Sequence, residues 1–459
     1  MEEPAKMEEK AGDDNLEEEH DKVEEKVGGD DDQKVEHNEG DQQVHAMEKW
    51  YAQQDRSSRP PYEEFTRQFT FLRVEGVGRQ MVVFVFVLVA LAAVWFSLNQ
   101  PYIAVDVLDD EWPNFGIINA SHPGVEILSP INADIYHQGM AGGGPETVIV
   151  SPSSSYAYLL CENGDVKVFS IGVSSPPETV ARVGGRPLGG AVARSEGGPG
   201  FDVLYLAEAS KGLLRLTVEI VAFEAGDGTQ IQYADDVAVG GRTGRVYFTD
   251  ASDVVVERVK GSRTKFNTLA ASIIDGIRGS RTGRLLVYDP GTGRTEVVKE
   301  GIWFANGVGV SEDEEFALVC ETFAARVLKI YLNGDRKGET EVFAQGFPGY
   351  VDGLSINNEK GRVHVAVPSP APAAIEVLSR LRPTWLNTAV RQVVLMLPPF
   401  IKPVKFGCFV TLDLEGNVLK TWVDEGGEIA NFVTAVEEKD GKAYLGSLKE
   451  DKVVVVNLE

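Results

Sequence analysis

The 459-residue sequence contains little cysteine and little basic charge. Its three cysteines, Cys161, Cys320 and Cys408, allow at most one disulfide bridge, so a dense disulfide framework and a multi-cysteine zinc site are excluded. The 44 Lys and Arg residues face 70 Asp and Glu residues, and this acidic balance argues against nucleic-acid binding, which needs a basic surface. What remains is an acidic chain with 48 glycines and 43% apolar residues, a composition typical of a turn-rich β protein with a buried core.

About half of the negative charge lies at the N-terminus. Residues 1–50 contain 19 Asp and Glu, six Lys and no Arg, with very few aromatic or β-branched residues. Such a segment cannot bury enough apolar surface to offset its ordering entropy, so we expect residues 1–60 to be disordered. An acidic interaction tail and a solvated spacer are the two interpretations, and the composition favours the spacer.

The longest apolar run is residues 81–98, MVVFVFVLVALAAVWFSL, which holds no charge. As a helix it would extend about 27 Å, close to the hydrocarbon thickness of a bilayer. A signal peptide is disfavoured because some eighty mostly polar residues precede the run. A buried core helix is the other alternative, but a helix that is apolar on every face fits lipid better. The run therefore predicts a transmembrane helix.

The flanking charges predict its orientation. Lys and Arg are absent between the run and Lys167, whereas five arginines precede it: Arg56, Arg59, Arg67, Arg73 and Arg79. The positive-inside rule then places the N-terminus in the cytosol, as in a type II protein, and the rest of the chain in a lumen or outside the cell. The membrane is that of the endoplasmic reticulum, the cell surface or another endomembrane. Asn119 begins a glycosylation sequon on the lumenal side, within a linker or first-strand region at residues 99–143.

Beyond the linker, one hairpin pattern recurs. In four segments an oxygen-bearing residue begins a strand, and a matching residue of the second strand follows 12 positions later: Glu146 and Tyr158, Asp235 and Tyr247, Asn306 and Leu318, Asp352 and His364. Looser copies occur around Arg186 and Phe432. Six copies over residues 144–459 predict an all-β fold, a six-bladed β-propeller with four strands in each blade. A β-sandwich is the main alternative, but recurrence of one hairpin at constant phase favours the propeller.

Residues 370–405 interrupt the pattern with a helical run bounded by prolines. They predict an insertion between strands of blade five. A lid over the site, a second membrane contact and a packed surface helix are equally compatible with this sequence.

The first residues of the six inner strands are expected to face the central channel at one height. In order they are Glu146, Arg186, Asp235, Asn306, Asp352 and Phe432. Four of them carry oxygen ligands, and a cation would relieve the repulsion among the carboxylates. Because Asp, Glu and Asn oxygens suit Ca²⁺ and no His or Cys occupies these strand-start positions, Glu146, Asp235, Asn306 and Asp352 are a predicted calcium site. The alternative is ordinary turn chemistry at strand starts. His364, in a second strand, is predicted to pack between blades.

The region from Gly144 onward resembles the strictosidine synthase-like family. The stretches that carry the resemblance are GGRPLG (184–189), YADDVAVGGRTGRVYFTDAS (233–252), GRLLVYDPGTGRTEVV (283–298), WFANGVGVSEDEEFALVCET (303–322), GFPGYVDGL (346–354) and EEKDGKAYLGSL (437–448). The resemblance implies a six-bladed propeller related to gluconolactonases and paraoxonases, with calcium held by one Glu, two Asn and one Asp. Glu146, Asn306 and Asp352 match these ligands, whereas Asp235 replaces an asparagine.

Two further departures from the family bear on activity. Gly185 replaces a cysteine of the family, so a disulfide formed there is absent. The resemblance places the catalytic glutamate of true strictosidine synthases at Thr434, which leaves the amine–aldehyde condensation without its acid–base group. We therefore expect a calcium-dependent hydrolase of small esters or lactones, resembling arylesterases and lactonases. A non-catalytic, calcium-stabilised binding module is the alternative, and the condensation is a more distant third.

Overall fold

The computed structural model describes residues 113, 115–116, 123–136, 143–152, 155–173, 175–193, 203–216, 219–262, 265–370, 384–395 and 404–459, with residues 219 and 384–386 described by backbone alone. The predicted acidic tail, the apolar run 81–98 and the sequon at Asn119 lie outside these residues. Within them, no helix is long and apolar enough to cross a membrane.

Six antiparallel sheets, here called blades one to six, follow one another along the chain. They are preceded by two short strands, β1 (Val125–Ile127) and β2 (Ala133–Tyr136). Blade one contains β3 (Pro145–Val150), β4 (Tyr156–Cys161), β5 (Asp165–Ser170) and β6 (Glu178–Arg182). Blade two contains β7 (Pro187–Ala193), β8 (Val203–Glu208), β9 (Gly212–Arg215) and β10 (Glu219–Ala222). Blade three contains β11 (Ala234–Val239), β12 (Val246–Asp250), β13 (Gly283–Asp289) and β14 (Arg294–Ile302).

The remaining blades repeat this plan. Blade four contains β15 (Ala305–Val310), β16 (Phe316–Glu321), β17 (Arg326–Tyr331) and β18 (Thr340–Gln345). The short strand β19 (Gly349–Tyr350) precedes blade five, which contains β20 (Leu354–Asn357), β21 (Arg362–Val367), β23 (Gly407–Leu412) and β24 (Val418–Asp424). The partner of β19 is β22 (Ser369–Pro370). Blade six contains β25 (Val433–Lys439), β26 (Lys442–Ser447) and β27 (Val453–Asn457). The predicted six-bladed propeller is confirmed.

The N-terminal strands complete the last two blades. Strand β2 pairs antiparallel with β27, Ala133 opposite Val456, and is the fourth strand of blade six. Strand β1 lies parallel to β24 as a fifth strand of blade five. Two ends of the described chain therefore share one sheet, which closes the circle of blades without leaving the β27 edge unpaired.

The hairpin repeat seen in the sequence is a repeat of strand register. Counting from the first oxygen-bearing residue, the residue three positions on pairs with the residue twelve positions on: Ile149 with Tyr158, Ala238 with Tyr247, Gly309 with Leu318 and Ser355 with His364. Side chains on one face of these hairpins pack against the neighbouring blade, and the three cysteines are buried in these layers and unpaired. No disulfide therefore contributes to the fold of the described residues.

Two helices leave the sheets at the end where the inner strands begin. Helix α1 (Thr268–Arg278) joins β12 to β13, and helix α2 (Thr384–Leu395) lies in the insertion of blade five. Arg391 of α2 is 3% exposed and donates to the carbonyl oxygens of Ile277 and Arg278, at 3.0 Å each, so it caps the C-terminus of α1. Of the roles that the sequence leaves open for the insertion, α2 shows packing against the protein's own helix.

Candidate metal centre

A bulge at the start of each inner strand sets the geometry of the channel entrance. In five blades the pairing register shifts by one residue there, and in blade five both Asp352 and Gly353 lie opposite Ala366. The residues at the bulge are turned towards the channel. We call these six residues the ring; from blade one to blade six they are Glu146, Leu188, Asp235, Asn306, Asp352 and Thr434.

The prediction of the ring residue is wrong in two blades. Leu188 occupies the position predicted for Arg186, and Thr434 occupies the position predicted for Phe432. The 12-residue offset fails in blade six because its hairpin turns tightly between Lys439 and Lys442. Phe432 instead packs as a buried residue beside the ring, with a left-handed φ of 54°.

Hydrogen bonds connect the ring from blade to blade. The backbone N–H of Gly307 donates to Asp352 O at 3.1 Å, and that of Gly353 donates to Thr434 O at 2.9 Å. The Thr434 hydroxyl then donates to Glu146 O at 2.7 Å. Thr147 extends the belt by donating to Leu188 O at 2.5 Å. Blades four, five, six, one and two are thus joined at ring height by direct bonds between successive blades.

Glycine follows the ring residue in three blades because the next blade is very close. A Cβ on Gly307 would lie 2.3 Å from Leu354 N and 2.6 Å from Asp352 O, and one on Gly353 would lie 2.3 Å from Thr434 O. Gly189 is similarly close to Asp235 O, at 2.6 Å. These Leu-Gly, Asn-Gly and Asp-Gly pairs are therefore not turn residues; they allow close approach between neighbouring inner strands.

All four predicted ligands belong to the ring. Glu146, Asp235 and Asn306 are each 7% exposed, and Asp352 is partly buried. Burial raises the pKa of Asp235 well above its usual value, and the charges of Asp352 and Glu146 raise it further. The pKa of Asp352 is raised in the same way by burial and by Glu146, although a hydrogen bond from Asn306 opposes the shift. Burial raises the pKa of Glu146 to about 7. These three carboxylates repel one another when ionised.

One cation already contacts the ring. The guanidinium of Arg186 donates to Glu146 Oε2 at 2.7 Å, and Arg186 is 2% exposed. Among the described residues, no three His, Cys, Asp or Glu side chains are grouped in metal-binding geometry. The four predicted ligands thus occupy equivalent positions at the starts of their inner strands, and one of them, Glu146, is already bonded to Arg186.

The donor set fits a hard divalent cation. Three carboxylates and one amide oxygen are the ligand chemistry of Ca²⁺. Burial and the neighbouring carboxylates raise the pKa values of Asp235 and Asp352, so ionising these groups is unfavourable unless a cation is near. Glu146, Asp235, Asn306 and Asp352 would hold the ion, and Leu188 and Thr434 would complete the ring without charge.

Two more carboxylates line the channel, whose cavity is about 250 Å³. Asp236 follows Asp235 and accepts hydrogen bonds from the backbone N–H groups of Val237 and Val308, at 2.8 and 3.0 Å; burial raises its pKa to about 7. Glu437 lies deeper, three residues beyond Thr434. Burial, together with the charges of Asp236 and Glu438, raises its pKa to about 8. Sequence reasoning overlooked both, although their alternation with apolar residues places them on the channel face.

His364 lies away from the channel, as predicted. It is fully buried between blades five and six, where Nε2 lies 2.8 Å from Glu438 Oε2 and Nδ1 lies 3.1 Å from Thr411 Oγ1. Glu438 also accepts from Arg362 at 3.1 Å. This is a polar contact between blades, so His364, the one histidine among the described residues, is not available to the ring.

A second set of acidic residues holds the loops above the ring. Glu208, Asp250 and Glu321 end the second strands of blades two, three and four and are 3% exposed or less. Each accepts a backbone N–H from the loop that leads into its own blade's inner strand: Arg186, Tyr233 and Trp303, respectively. The sequence signal was an acidic residue closing the runs LYLAE, YFTD and LVCE.

Comparison with known proteins identifies the family. A family model described as strictosidine synthase matches residues 235–335. Strictosidine synthase-like protein 6 of Arabidopsis thaliana is 31% identical over 323 residues, which cover 68% of this chain and 79% of that protein. The human adipocyte plasma membrane-associated protein is 27% identical over 315 residues, 65% of this chain and 70% of the relative. Among solved structures, a gluconolactonase from Xanthomonas campestris aligns with a TM-score of 0.48 and 12% identity over 71% of this chain and 88% of that one.

These matches agree with the motifs read from the sequence. The family-model match begins at the ring residue Asp235 and runs through blade three and the first three strands of blade four. The Arabidopsis relative is matched over more than two thirds of its own length. The chain therefore belongs to the strictosidine synthase-like family.

Proposed function

We propose that this protein is a membrane-anchored, calcium-dependent hydrolase of small carboxylic esters or lactones. The observation that carries the proposal is the ring, where three carboxylates that repel one another when ionised and Asn306 begin the inner strands and line one channel. A bound Ca²⁺ would supply Lewis acidity to polarise a carbonyl and stabilise an oxyanion. The family resemblance to lactone- and ester-cleaving propellers motivates the substrate class.

The chain's own residues would supply orientation and a base. Leu188 and other apolar residues line the channel beside the ring, and Thr434 joins blade six to blade one through its bond to Glu146 O. Asp236 is the candidate general base: it lines the channel next to the ring, and a pKa of about 7 suits proton abstraction from water near neutral pH. The oxygens of Asp236 are fixed by two backbone N–H groups.

The test is an assay of the full-length protein in detergent with aryl esters and lactones, in calcium and in chelator. Asp352→Asn should lower kcat/KM at least about 100-fold and raise the calcium concentration required, because it removes a charged ligand. Glu359→Gln is the matched control: it changes an exposed carboxylate in the hairpin of the same blade and should behave as the unchanged protein. Activity indifferent to chelator and to Asp352→Asn would exclude the hydrolase.

A calcium-stabilised binding module is the second candidate. The specific observation in its favour is that His364 is committed to Glu438 between blades, and that Thr434 stands at the ring position where synthases of the family carry their catalytic glutamate. The presence of Thr434 in place of that glutamate also disfavours amine–aldehyde condensation. Calcium-dependent thermal stability without turnover of any ester, lactone or amine–aldehyde pair would select the binding module.

The membrane topology is a proposal that rests on the apolar run 81–98, its arginine-rich N-terminal flank and the sequon at Asn119. The name of the human relative, an adipocyte plasma membrane-associated protein, agrees with membrane attachment. In microsomes the propeller should resist added protease, and Asn119→Gln should abolish a glycosidase-sensitive mass shift. Digestion of the propeller in sealed vesicles would contradict a type II orientation.

A further inference from the structure

Arg186 is held beside the ring by its backbone. Its N–H donates to Glu208 Oε1 at 2.5 Å, its carbonyl oxygen accepts from Ala209 N at 3.0 Å, and Pro187 follows it in the chain. The backbone at residue 186 is therefore fixed, and the side chain is directed to Glu146 in the inner strand of blade one.

The side chain makes few bonds for a buried arginine. One guanidinium nitrogen, Nη2, donates to Glu146 Oε2 at 2.7 Å, whereas Nε and Nη1 find no hydrogen-bond partner among the described residues. Burying two unpaired N–H groups of a cation is unfavourable. A purely structural arginine would be better satisfied, as Arg284 is: it bonds Asp250 through two nitrogens and also contacts Thr229 and Gln230. The hydrogen bond that the Arg186 guanidinium makes among the described residues is therefore to a carboxylate of the ring.

We infer that Arg186 is a resident counter-cation, which neutralises Glu146 in the metal-free protein and competes with a divalent ion for that carboxylate. The inference rests on the calcium site proposed above. Among the salt bridges of the described residues, Glu146 is the one predicted ligand that takes part, and its salt bridge is almost fully buried, with 2% and 10% of the two side chains exposed. A positive charge bonded to a ligand repels an incoming cation at short range and must give up the carboxylate for the cation to bind.

Two consequences follow for the metal-free and metal-bound states. Without metal, Arg186 keeps the ring from carrying three unbalanced carboxylates, so the propeller can fold before an ion arrives. With metal, the same arginine sets the affinity, because binding must displace it from Glu146. Removing its charge should therefore weaken the metal-free protein and strengthen metal binding, a pair of opposite effects that a merely packing residue would not produce.

The test uses the full-length protein at pH 8 and has two readouts that do not depend on activity. Thermal unfolding in chelator should fall by at least roughly 5 °C in Arg186→Gln. Calcium titration by calorimetry should give a dissociation constant at least about tenfold lower than that of the unchanged protein. Arg186→Lys keeps the charge, and its calcium affinity should remain within about threefold of that of the unchanged protein. If Arg186→Gln folds only in calcium, that dependence itself supports the inference, and Arg186→Lys then provides the affinity measurement.

The matched control is Arg284→Gln, which removes another buried arginine from a buried carboxylate but away from the ring. It should lower the unfolding temperature and leave calcium affinity unchanged. Calcium binding by the unchanged protein with equal affinity in Arg186→Gln would overturn the inference and leave the proposed function standing. Binding only by Arg186→Gln would support the inference and contradict the calcium-dependent function. Binding by neither would overturn both.

Discussion

Three of the six ring residues are followed by glycine, and at the scale of single residues these glycines matter as much as the ligands. They sit where one inner strand passes within bonding distance of the next, so the missing side chain is what allows Gly307 and Gly353 to donate to the neighbouring ring carbonyl. These bonds, with those of the Thr434 and Thr147 hydroxyls, link the inner strands of blades four, five, six, one and two at ring height in the absence of an ion.

Gly307→Ala should lower the free energy of unfolding by about 2–3 kcal/mol, because the new Cβ would meet the backbone of blade five at 2.3 Å. Chemical denaturation measures the change. Gly241→Ala is the control: it is exposed, it lacks a left-handed φ, and its nearest contact would be at 3.9 Å. It should change stability by less than about 0.5 kcal/mol. A loss for Gly307→Ala no larger than that would refute the close-approach explanation.

Glu437 gives the channel a pH dependence that is separate from the ring. Its pKa is raised from 4.5 to about 8 by burial and by nearby acidic charges. Between these two pH values the folded state therefore holds a proton that the unfolded state has released. The stability from this proton is fully present below pH 4.5 and is lost as the pH rises through about 8. Glu437→Gln should therefore gain about 1–2 kcal/mol of stability relative to the unchanged protein between pH 5 and pH 9.

Denaturation in chelator at the two pH values measures this difference. The exposed substitution Glu359→Gln, which serves as the reference, should show no relative gain. A pH-independent difference for Glu437→Gln would show that the Glu437 carboxyl titrates as it does in water.

At the scale of elements, hairpin length decides how well the sequence predicts the site. Four hairpins have the same length, so a constant 12-residue offset locates Glu146, Asp235, Asn306 and Asp352 correctly on the ring. Blade six turns within two residues, and blade two joins β7 to β8 by a longer segment. The 12-residue offset therefore does not apply to blades two and six, and the ring residues of these blades lie two positions beyond the predicted ones.

The two helices show another limit of local sequence signals. The prolines and apolar residues of the insertion predicted a helix in residues 370–405, and α2 lies within that range. Its hydrogen bonds to the end of α1 are made by Arg391, which is buried although a charged side chain is usually exposed. The carbonyls at the end of α1 explain this, since they offer Arg391 acceptors that only the folded chain brings close.

At the scale of the whole molecule, the propeller closes through its N-terminal strands. Strand β2 covers the β27 edge, where Val453–Val456 are buried. Deleting residues 1–142 should therefore expose this edge and cause aggregation and loss of a cooperative unfolding transition. Deleting only residues 1–122 keeps β1 and β2 and should leave a monodisperse, folded protein. Size-exclusion chromatography and thermal unfolding distinguish the two deletion variants. If both variants were monodisperse and unfolded in the same way, β2 would be dispensable.

The sequence by itself predicted the architecture, because one hairpin that recurs at constant phase favours a radial arrangement of sheets over a β-sandwich. It also determined which residues are the predicted metal ligands, since Glu146, Asp235, Asn306 and Asp352 recur at one phase of that pattern. Only the tertiary structure decided what surrounds them: that Leu188 and Thr434 complete the ring, that Arg186 is paired with Glu146, and that Asp236 and Glu437 line the channel. These contacts join residues of different blades, and their distances depend on how the blades pack rather than on spacing along the chain.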